Sequence, residues 1–453
     1  MRNKVRKRTA CSVPFLLCCS SCTIAVILIL VQLYTLTSDV HQSDDDVFLQ
    51  ELETVEEETM QVSLPKRRPS SRKKRRHAMI DEILNKSRDA FFPPRKLSVD
   101  PRKDTVEGND SLYYFPGRVW LDTDGNPIQA HGGGILYDHI SSTYYWYGEY
   151  KDGPTYRARD GPQRVDVIGV GCYSSKDLWT WRNEGIVLAA ADEENVAHDL
   201  HKSNVVERPK VIFNERTGKY VMWMHVDNAN YSKSSVGIAT SDSPTGPFVY
   251  LHGKRPHGHQ SRDMTVFKDD DEGIAYLIYS SQGNSEIHIG PLTSDYTDVT
   301  PVVTRVLVGS YREAPAVFKH RGTYYMITSG CTGWAPNEAL LHRAGSMMGR
   351  WEMAGNPCVG GNEFFRATTF YAQGTFVMPL HGLADWFVFM ADRWDPNDLG
   401  GSRYVWLPLR VGGGSAVTMS SKRVSVFWHG RWRLPPGWRN GKTTVGDTEK
   451  RIL

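Results

Sequence analysis

Past residue 36 this 453-residue chain has only three cysteines, Cys172, Cys331 and Cys358. None stands at a C-x-x-C or similar ligand spacing, so a cysteine-bound zinc site lacks its donors. At most one disulfide can form among them; Cys331 with Cys358 is the expected pair, which leaves one thiol over. The chain also lacks a strong net charge. It stands at +3, and its basic runs lie near the N-terminus, so the remainder offers no footprint for nucleic acid. Long apolar runs are missing too, with one exception.

The exception is residues 14–36, which carry no charge and follow Arg2, Lys4, Arg6, Lys7 and Arg8. That length spans a bilayer as a helix, and the basic flank predicts a cytoplasmic N-terminus. A cleaved signal peptide is the rival reading, but no small-x-small cleavage site follows the run. We therefore expect a cytoplasmic tail over 1–13, an uncleaved anchor over 14–36 and a stem over 37–111. Cys11, Cys18, Cys19 and Cys22 lie in or beside the anchor, open to acylation. In the stem an acidic stretch gives way to basic runs, a composition that rarely folds alone. Sequons occur at Asn85, Asn109 and Asn230.

What the chain does have is a repeat of short strands. The acids Glu207, Asp263 and Glu313 stand four residues ahead of Val211, Phe267 and Val317. Each is followed by a strand, a turn rich in Gly or Asp, and a second strand. A period of 50 to 56 residues built this way is the signature of a β-propeller. The predicted fold is all-β: a five-bladed propeller over 112–416, behind the anchor and stem, with 417–453 as a closing segment and tail. Blade one is predicted to use residues 134–137, 143–149 and 169–175, with Leu178–Trp181 after them. Blades two, three and four start near Glu207, Asp263 and Glu313, and blade five near Ala367–Tyr371. Thirteen Trp and 21 Tyr serve either blade packing or a sugar-binding surface.

Equivalent positions of successive blades surround one axis, so the repeat brings three carboxylates to one mouth. An acidic residue alone would read as a cap on backbone amides. Three at equivalent positions point to chemistry. Cleaving a glycosidic bond needs an acid that protonates the leaving oxygen and a means of delivering water. Glu313 is the expected acid, because a carboxyl in a desolvated mouth beside another carboxylate keeps its proton near neutral pH. Asp263 supplies that neighbouring charge, and Glu207 completes the arc and accepts from sugar hydroxyls.

Arg312-Glu313-Ala314-Pro315 with Tyr324-Tyr325, and Asp263 before an Asp-rich turn, resemble glycoside hydrolase family 43. Residues 129–134, Tyr147-Gly148-Glu149, residues 207–211 and Cys331–Asn337 are similar to its exo-β-1,3-galactanase branch. The resemblance covers about residues 115–415. It implies an inverting enzyme that removes galactose from the non-reducing end of β-1,3-galactan. Apart from the resemblance, no cofactor and no metal-ligand set is expected from the sequence, and a structural ion in the propeller channel stays open. The resemblance also implies that Glu149, Tyr231, Asn284 and Thr332 line the galactose subsite. Trp334 is expected to stack on a sugar face or to pack between blades. Most of the family carries a first-blade Asp as base; here His131 stands in its place, to act as base or to hold the glycine turn. The galactanase branch is similar in lacking that Asp, and a last-blade Gln is assigned there to hold the water. Gln373 matches it. Because Tyr231 is expected at the sugar, the Asn230 sequon is expected to stay unused.

The implied partners are β-1,3-galactan or arabinogalactan-protein glycans, with the membrane reached through the single N-terminal helix. The implied location is the Golgi membrane, type II, with the catalytic domain in the lumen or secreted after stem cleavage. Three alternatives are weighed. An arabinofuranosidase or xylosidase of the same fold is disfavoured by the missing first-blade Asp. A catalytically silent glycan-binding propeller draws support from the absent base. A glycosyltransferase would need a D-x-D element followed by an α/β nucleotide-binding pattern, which is not found.

Overall fold

A computed structural model describes residues 91–103, 112–157, 161–412, 424–434 and 438. The anchor, most of the stem, and the Asn85 and Asn109 sequons lie outside them. Among the described residues no helix is long and apolar enough to cross a membrane.

Four antiparallel four-stranded sheets and one five-stranded sheet make five blades. Blade one is β1 (His131–Asp138), β2 (Thr143–Glu149), β5 (Gly169–Ser175) and β6 (Arg182–Ala189); a small hairpin, β3 (Tyr156–Arg157) and β4 (Gln163–Arg164), rises between β2 and β5. Blade two is β7 (Val205–Asn214), β8 (Lys219–Asp227), β9 (Ser235–Ser241) and β10 (Val249–Lys254). Blade three is β11 (Met264–Asp269), β12 (Ile274–Ser281), β13 (Glu286–Pro291) and β14 (Thr304–Val306). Blade four is β15 (Arg312–His320), β16 (Thr323–Gly330), β17 (Leu340–Ala344) and β18 (Glu352–Gly355). Blade five combines β19 (Cys358–Val359), β20 (Gln373–Pro379), β21 (Trp386–Arg393), β22 (Arg403–Val411) and β23 (Val424–Phe427).

The first strands line the channel. They touch in the order β1, β7, β11, β15, β20, and β20 meets β1 to close the ring. The core lies between blades, where one apolar cluster joins each neighbouring pair from one-two through three-four. The blade-five to blade-one seam is aromatic. Trp146 sits 4.7 Å from both Tyr404 and Trp406, and Tyr114 stacks on Trp432 at 4.4 Å. Much of the tryptophan excess is spent here, since Trp146, Trp181, Trp406 and Trp432 are fully buried.

Several expectations change. Residues 367–371 do not start a strand. A short helix, Glu363–Ala367, is followed by Thr369, Phe370 and Tyr371 in the left-handed region, and β20 begins at Gln373. Buried Arg393 holds that turn by donating to the carbonyls of Phe370 and Tyr371. Leu178–Trp181, expected after the 169–175 strand, forms a bend there with Leu178 and Trp181 buried. Phe91, set in the stem, is buried on the ring and accepts from Arg393 through its carbonyl oxygen, while the segment after 416 supplies β23, which lies between β19 and β22. Cys172, Cys331 and Cys358 are all free thiols. Cys331 lies beside the channel mouth, whereas Cys358 pairs with Val426 in blade five, so the expected disulfide has no geometry.

Candidate active site

The strand register places five side chains at one level of the channel. His131 opposes Glu149, Glu207 opposes His225, Glu313 opposes Ser329, and Gln373 opposes Asp392. Asp263 lies just ahead of β11, and its carbonyl accepts from Ser280. The innermost strands of blades one, two, four and five each bulge directly after or beside this level, at His131/Gly134, Glu207/Lys210, Glu313/Ala316 and Gly374/Phe376. A bulge frees a backbone N–H from the ladder. In three blades the residue after the site position takes a left-handed φ: 60° at Gly132, 56° at Arg208 and 49° at Ala314. Its freed N–H donates to a carboxylate of the preceding blade. Gly132 gives to Asp392 (3.0 Å), Arg208 to Glu149 (3.0 Å) and Ala314 to Asp263 (3.1 Å). The bulges thus point side chains at the mouth and tie neighbouring blades together there.

The result is a cavity of about 310 Å³ lined by Glu149, Glu207, Tyr231, Asp263, Asn284, Glu313, Trp334 and Gln373, with Arg208, His225, Cys331 and Trp394 among their neighbours. Its size is at the small end for a pocket that takes a small molecule. A larger cavity, about 590 Å³, opens at the far end of the first strands. Among its lining groups, Lys319 is paired with Asp269 and Lys268 with Glu215. It contains none of the three acids of the repeat.

Glu313 holds the centre. Burial, then the nearby Asp263 carboxylate, push its pKa up to about 8, against the pull of Arg208. Asn284 Nδ2 donates to Glu313 Oε2 (3.0 Å) and Gln373 Nε2 to Oε1 (3.1 Å). The Arg208 guanidinium donates to Asp263 Oδ2 (2.9 Å) and to Gln373 Oε1 (2.6 Å). Glu207 is the opposite case. Burial works to raise its pKa, but the hydrogen bond and charge of His225 bring it down to about 2. Tyr231 also donates to Glu207 Oε1 (2.6 Å). Glu149 is raised by burial, opposed by Lys151, whose ammonium lies 2.7 Å from Oε2. A carboxyl pushed up beside one pulled down is the arrangement an acid catalyst requires.

Gln373 is fully committed. Its oxygen accepts from Arg208 and from Trp394 Nε1 (3.0 Å), and its nitrogen donates to Glu313 and to Ser329 (2.9 Å). It is a hydrogen-bonded neighbour of Glu313 rather than a group facing it across a gap.

Two candidate site residues lie elsewhere. His131 is fully buried; its Nδ1 lies 3.0 Å from Asp392 Oδ1 and its ring stacks on Tyr404. It holds the glycine turn through Asp392 and does not line the cavity. Thr332 donates to the carbonyl of Ala335 and accepts from Asn337, so it pins its own loop while Cys331 and Gly333 face the cavity. Trp334 both packs and lines: it donates to the Gln163 carbonyl (3.0 Å) and meets Trp394 edge-on at 5.1 Å. Asn230 is exposed beside the inward-reaching Tyr231. Sequence reasoning missed His225, Trp394 and the bridging role of Arg208. Only Arg208 had a signal, its place next to Glu207. Ligand atoms of Glu207, His225 and Asp263 come within 4.8 Å of one another, and both nitrogens of His225 meet carboxylates.

A five-bladed propeller with a protonated carboxyl and partnered carboxylates in one mouth defines a glycoside hydrolase. The chain belongs to glycosyl hydrolases family 43, whose family model matches residues 135–405. It is similar to a solved family-43 β-1,3-galactosidase with galactodeoxynojirimycin: 38% identical, over 71% of this chain and 100% of that one, with a TM-score of 0.64. It is also similar to the exo-β-1,3-galactanase of Phanerochaete chrysosporium solved with galactose, at 36% identity over 74% of this chain and 70% of that one, with a TM-score of 0.62. An arabinoxylan arabinofuranohydrolase of Bacillus subtilis (strain 168) is 28% identical over 275 residues, 53% of this chain; the chain spans about half, 51%, of that relative.

Proposed function

We propose that the protein is an inverting exo-β-1,3-galactosidase that releases galactose from β-1,3-galactan chains of arabinogalactan-type glycans. The observation that carries the reading is Glu313, whose pKa burial and Asp263 raise, held by Asn284 and Gln373 in a cavity of about 310 Å³. Glu313 protonates the glycosidic oxygen, Asp263 orients it and sustains its pKa, and Glu149, Glu207, Tyr231 and Asn284 bind the galactose hydroxyls. The likeness to β-1,3-galactosidases at 36–38% identity supports galactose as the sugar. The arabinofuranohydrolase relative favours the second reading, an arabinofuranosidase of the same fold. Against it, the position of the first-blade base is taken by His131, which is sealed behind the cavity.

Gln373 is assigned to hold the attacking water. In inverting enzymes the two catalytic groups stand roughly 6.5–9.5 Å apart, with the sugar and water between them. The entering galactose must therefore part Gln373 from Glu313 and exchange at least one of the four bonds on its amide. Gln373→Ala should lower kcat about 100-fold or more. An unchanged kcat with only the alkaline limb moved would make Gln373 a clamp on the Glu313 proton instead.

The anchor and stem lead us to place the enzyme in the Golgi lumen, a proposal that fractionation with protease protection tests. The activity test is digestion of β-1,3-galactan followed by proton NMR. Free galactose appearing first as the α-anomer is expected; β-galactose, arabinose or no product contradicts the reading.

A further inference from the structure

The site works only if Glu313 keeps a proton that its neighbours do not take. A side chain the repeat does not single out does this sorting. His225 lies on β8, opposite Glu207, and is 1% exposed. Its Nδ1 is 3.2 Å from Glu207 Oε2 and its Nε2 is 3.1 Å from Asp227 Oδ2. Asp227 is itself fixed, since its Oδ1 accepts the backbone N–H groups of Asn228 (2.9 Å) and Lys233 (2.8 Å). A neutral imidazole has one N–H and can satisfy only one of two carboxylates. The imidazolium has two and satisfies both.

We propose that His225 is a positioning residue: as a fixed imidazolium between Asp227 and Glu207 it keeps Glu207 ionised, and so leaves the one exchangeable proton of the site on Glu313. The proposal rests on the reading of Glu313 as the acid.

The groups around the ring agree with this. Glu207 faces it from β7 and Asp227 from β8. Asp263 reaches it from blade three, with ligand atoms of the three groups Glu207, His225 and Asp263 within 4.8 Å. The Tyr231 ring lies 5.9 Å away, and its hydroxyl donates to Glu207 rather than to the imidazole. Of the nearby cations, Arg208 is paired with Asp263 and Lys151 with Glu149. The balance at the ring is negative. Burial opposes a charged imidazole, but the bonds to Asp227 and Glu207 outweigh it and lift His225 to about 9.

Two measurements test this. His225→Gln keeps the volume and an amide donor but removes the charge. Glu207 should then regain a pKa in or above the ordinary carboxylate range, and an acid limb should enter the pH profile of kcat/KM. With 4-nitrophenyl β-D-galactoside, the ratio of kcat/KM at pH 6.5 to that at pH 4.5 should rise over wild type, by about twofold if Glu207 returns to the ordinary carboxylate range and by about tenfold if it settles about one unit above it. Asp227→Asn should move the same limb by less. A purely structural histidine would lower the rate evenly at all pH values, and an unmoved limb in both variants overturns the proposal. The second measurement needs no turnover. In ¹⁵N NMR of the wild-type protein, the imidazole signals absent from His225→Gln should be those of a protonated ring at pH 7.5; a neutral ring there overturns the proposal. Wild-type protein that leaves galactan uncut removes the galactosidase reading without touching this second result.

Discussion

Glu313 is expensive to keep in its place. Its pKa is raised from 4.5 to about 8, so between those values the folded protein holds a proton that the unfolded chain has lost. The stability associated with this group is therefore full below about pH 4.5 and falls as pH rises towards 8. Glu313→Gln removes the dependence. We expect the variant to melt above wild type, with a gap that widens from pH 5 to pH 8. The gap reaches at most a few kcal/mol, on the order of 1.4 kcal/mol for each tenfold change in proton affinity. Thermal melts of both proteins across that range check it. The same proton sets the alkaline limb of activity, which should fall above about pH 8. At this scale the sequence was informative wherever a residue recurs. Glu207, Asp263 and Glu313 were legible because each precedes a matching strand. His225 was not, because the positions equivalent to it hold Glu149, Ser280, Ser329 and Asp392 and nothing repeats. Thr332 was misplaced because sequence marks a loop without showing which of its neighbours turns inward.

At the level of the strand, the bulge decides what each blade offers. Gly132, Arg208 and Ala314 share one backbone conformation, yet only the first must be glycine. A Cβ on Gly132 would lie 2.1 Å from Glu149 Oε1, in the left-handed region besides. Gly132→Ala should therefore push Glu149 off the Arg208 N–H, cost about 1–3 kcal/mol and raise KM for galactan more than it lowers kcat. Steady-state kinetics with a thermal melt tests this; an unchanged KM would mean that Glu149 does not contact the sugar. Ala314 sits at φ 49°, so Ala314→Gly should be tolerated, while a β-branched Val should cost roughly 1–3 kcal/mol. Alternation and turn residues made most of these strands readable in advance. The bulges were not, because they arise where a freed N–H finds a carboxylate on another blade, a partner far away in sequence.

Across the whole molecule, closure of the ring depends on chain outside the repeat. β23 pairs with β22 through Val426, Ser425 and Val424, and Trp432 stacks on Tyr114 at the seam. A chain ending at residue 416 loses both. Its melting temperature should drop by about 10 °C or more relative to the full chain, or it should fail to fold; an unchanged melt would show that the seam closes without this segment. The blade count and the shared mouth could be read from periodicity, since each blade repeats the same local sentence. A closing segment past residue 416 was expected, but its partners at the seam were not, because they lie in segments that resemble no blade. The most direct test of the central claim is galactose release from β-1,3-galactan by purified wild-type protein and by Glu313→Gln, each shown to be folded. Release should fall by at least about a thousandfold in the variant; release at the wild-type rate would contradict Glu313 as the acid.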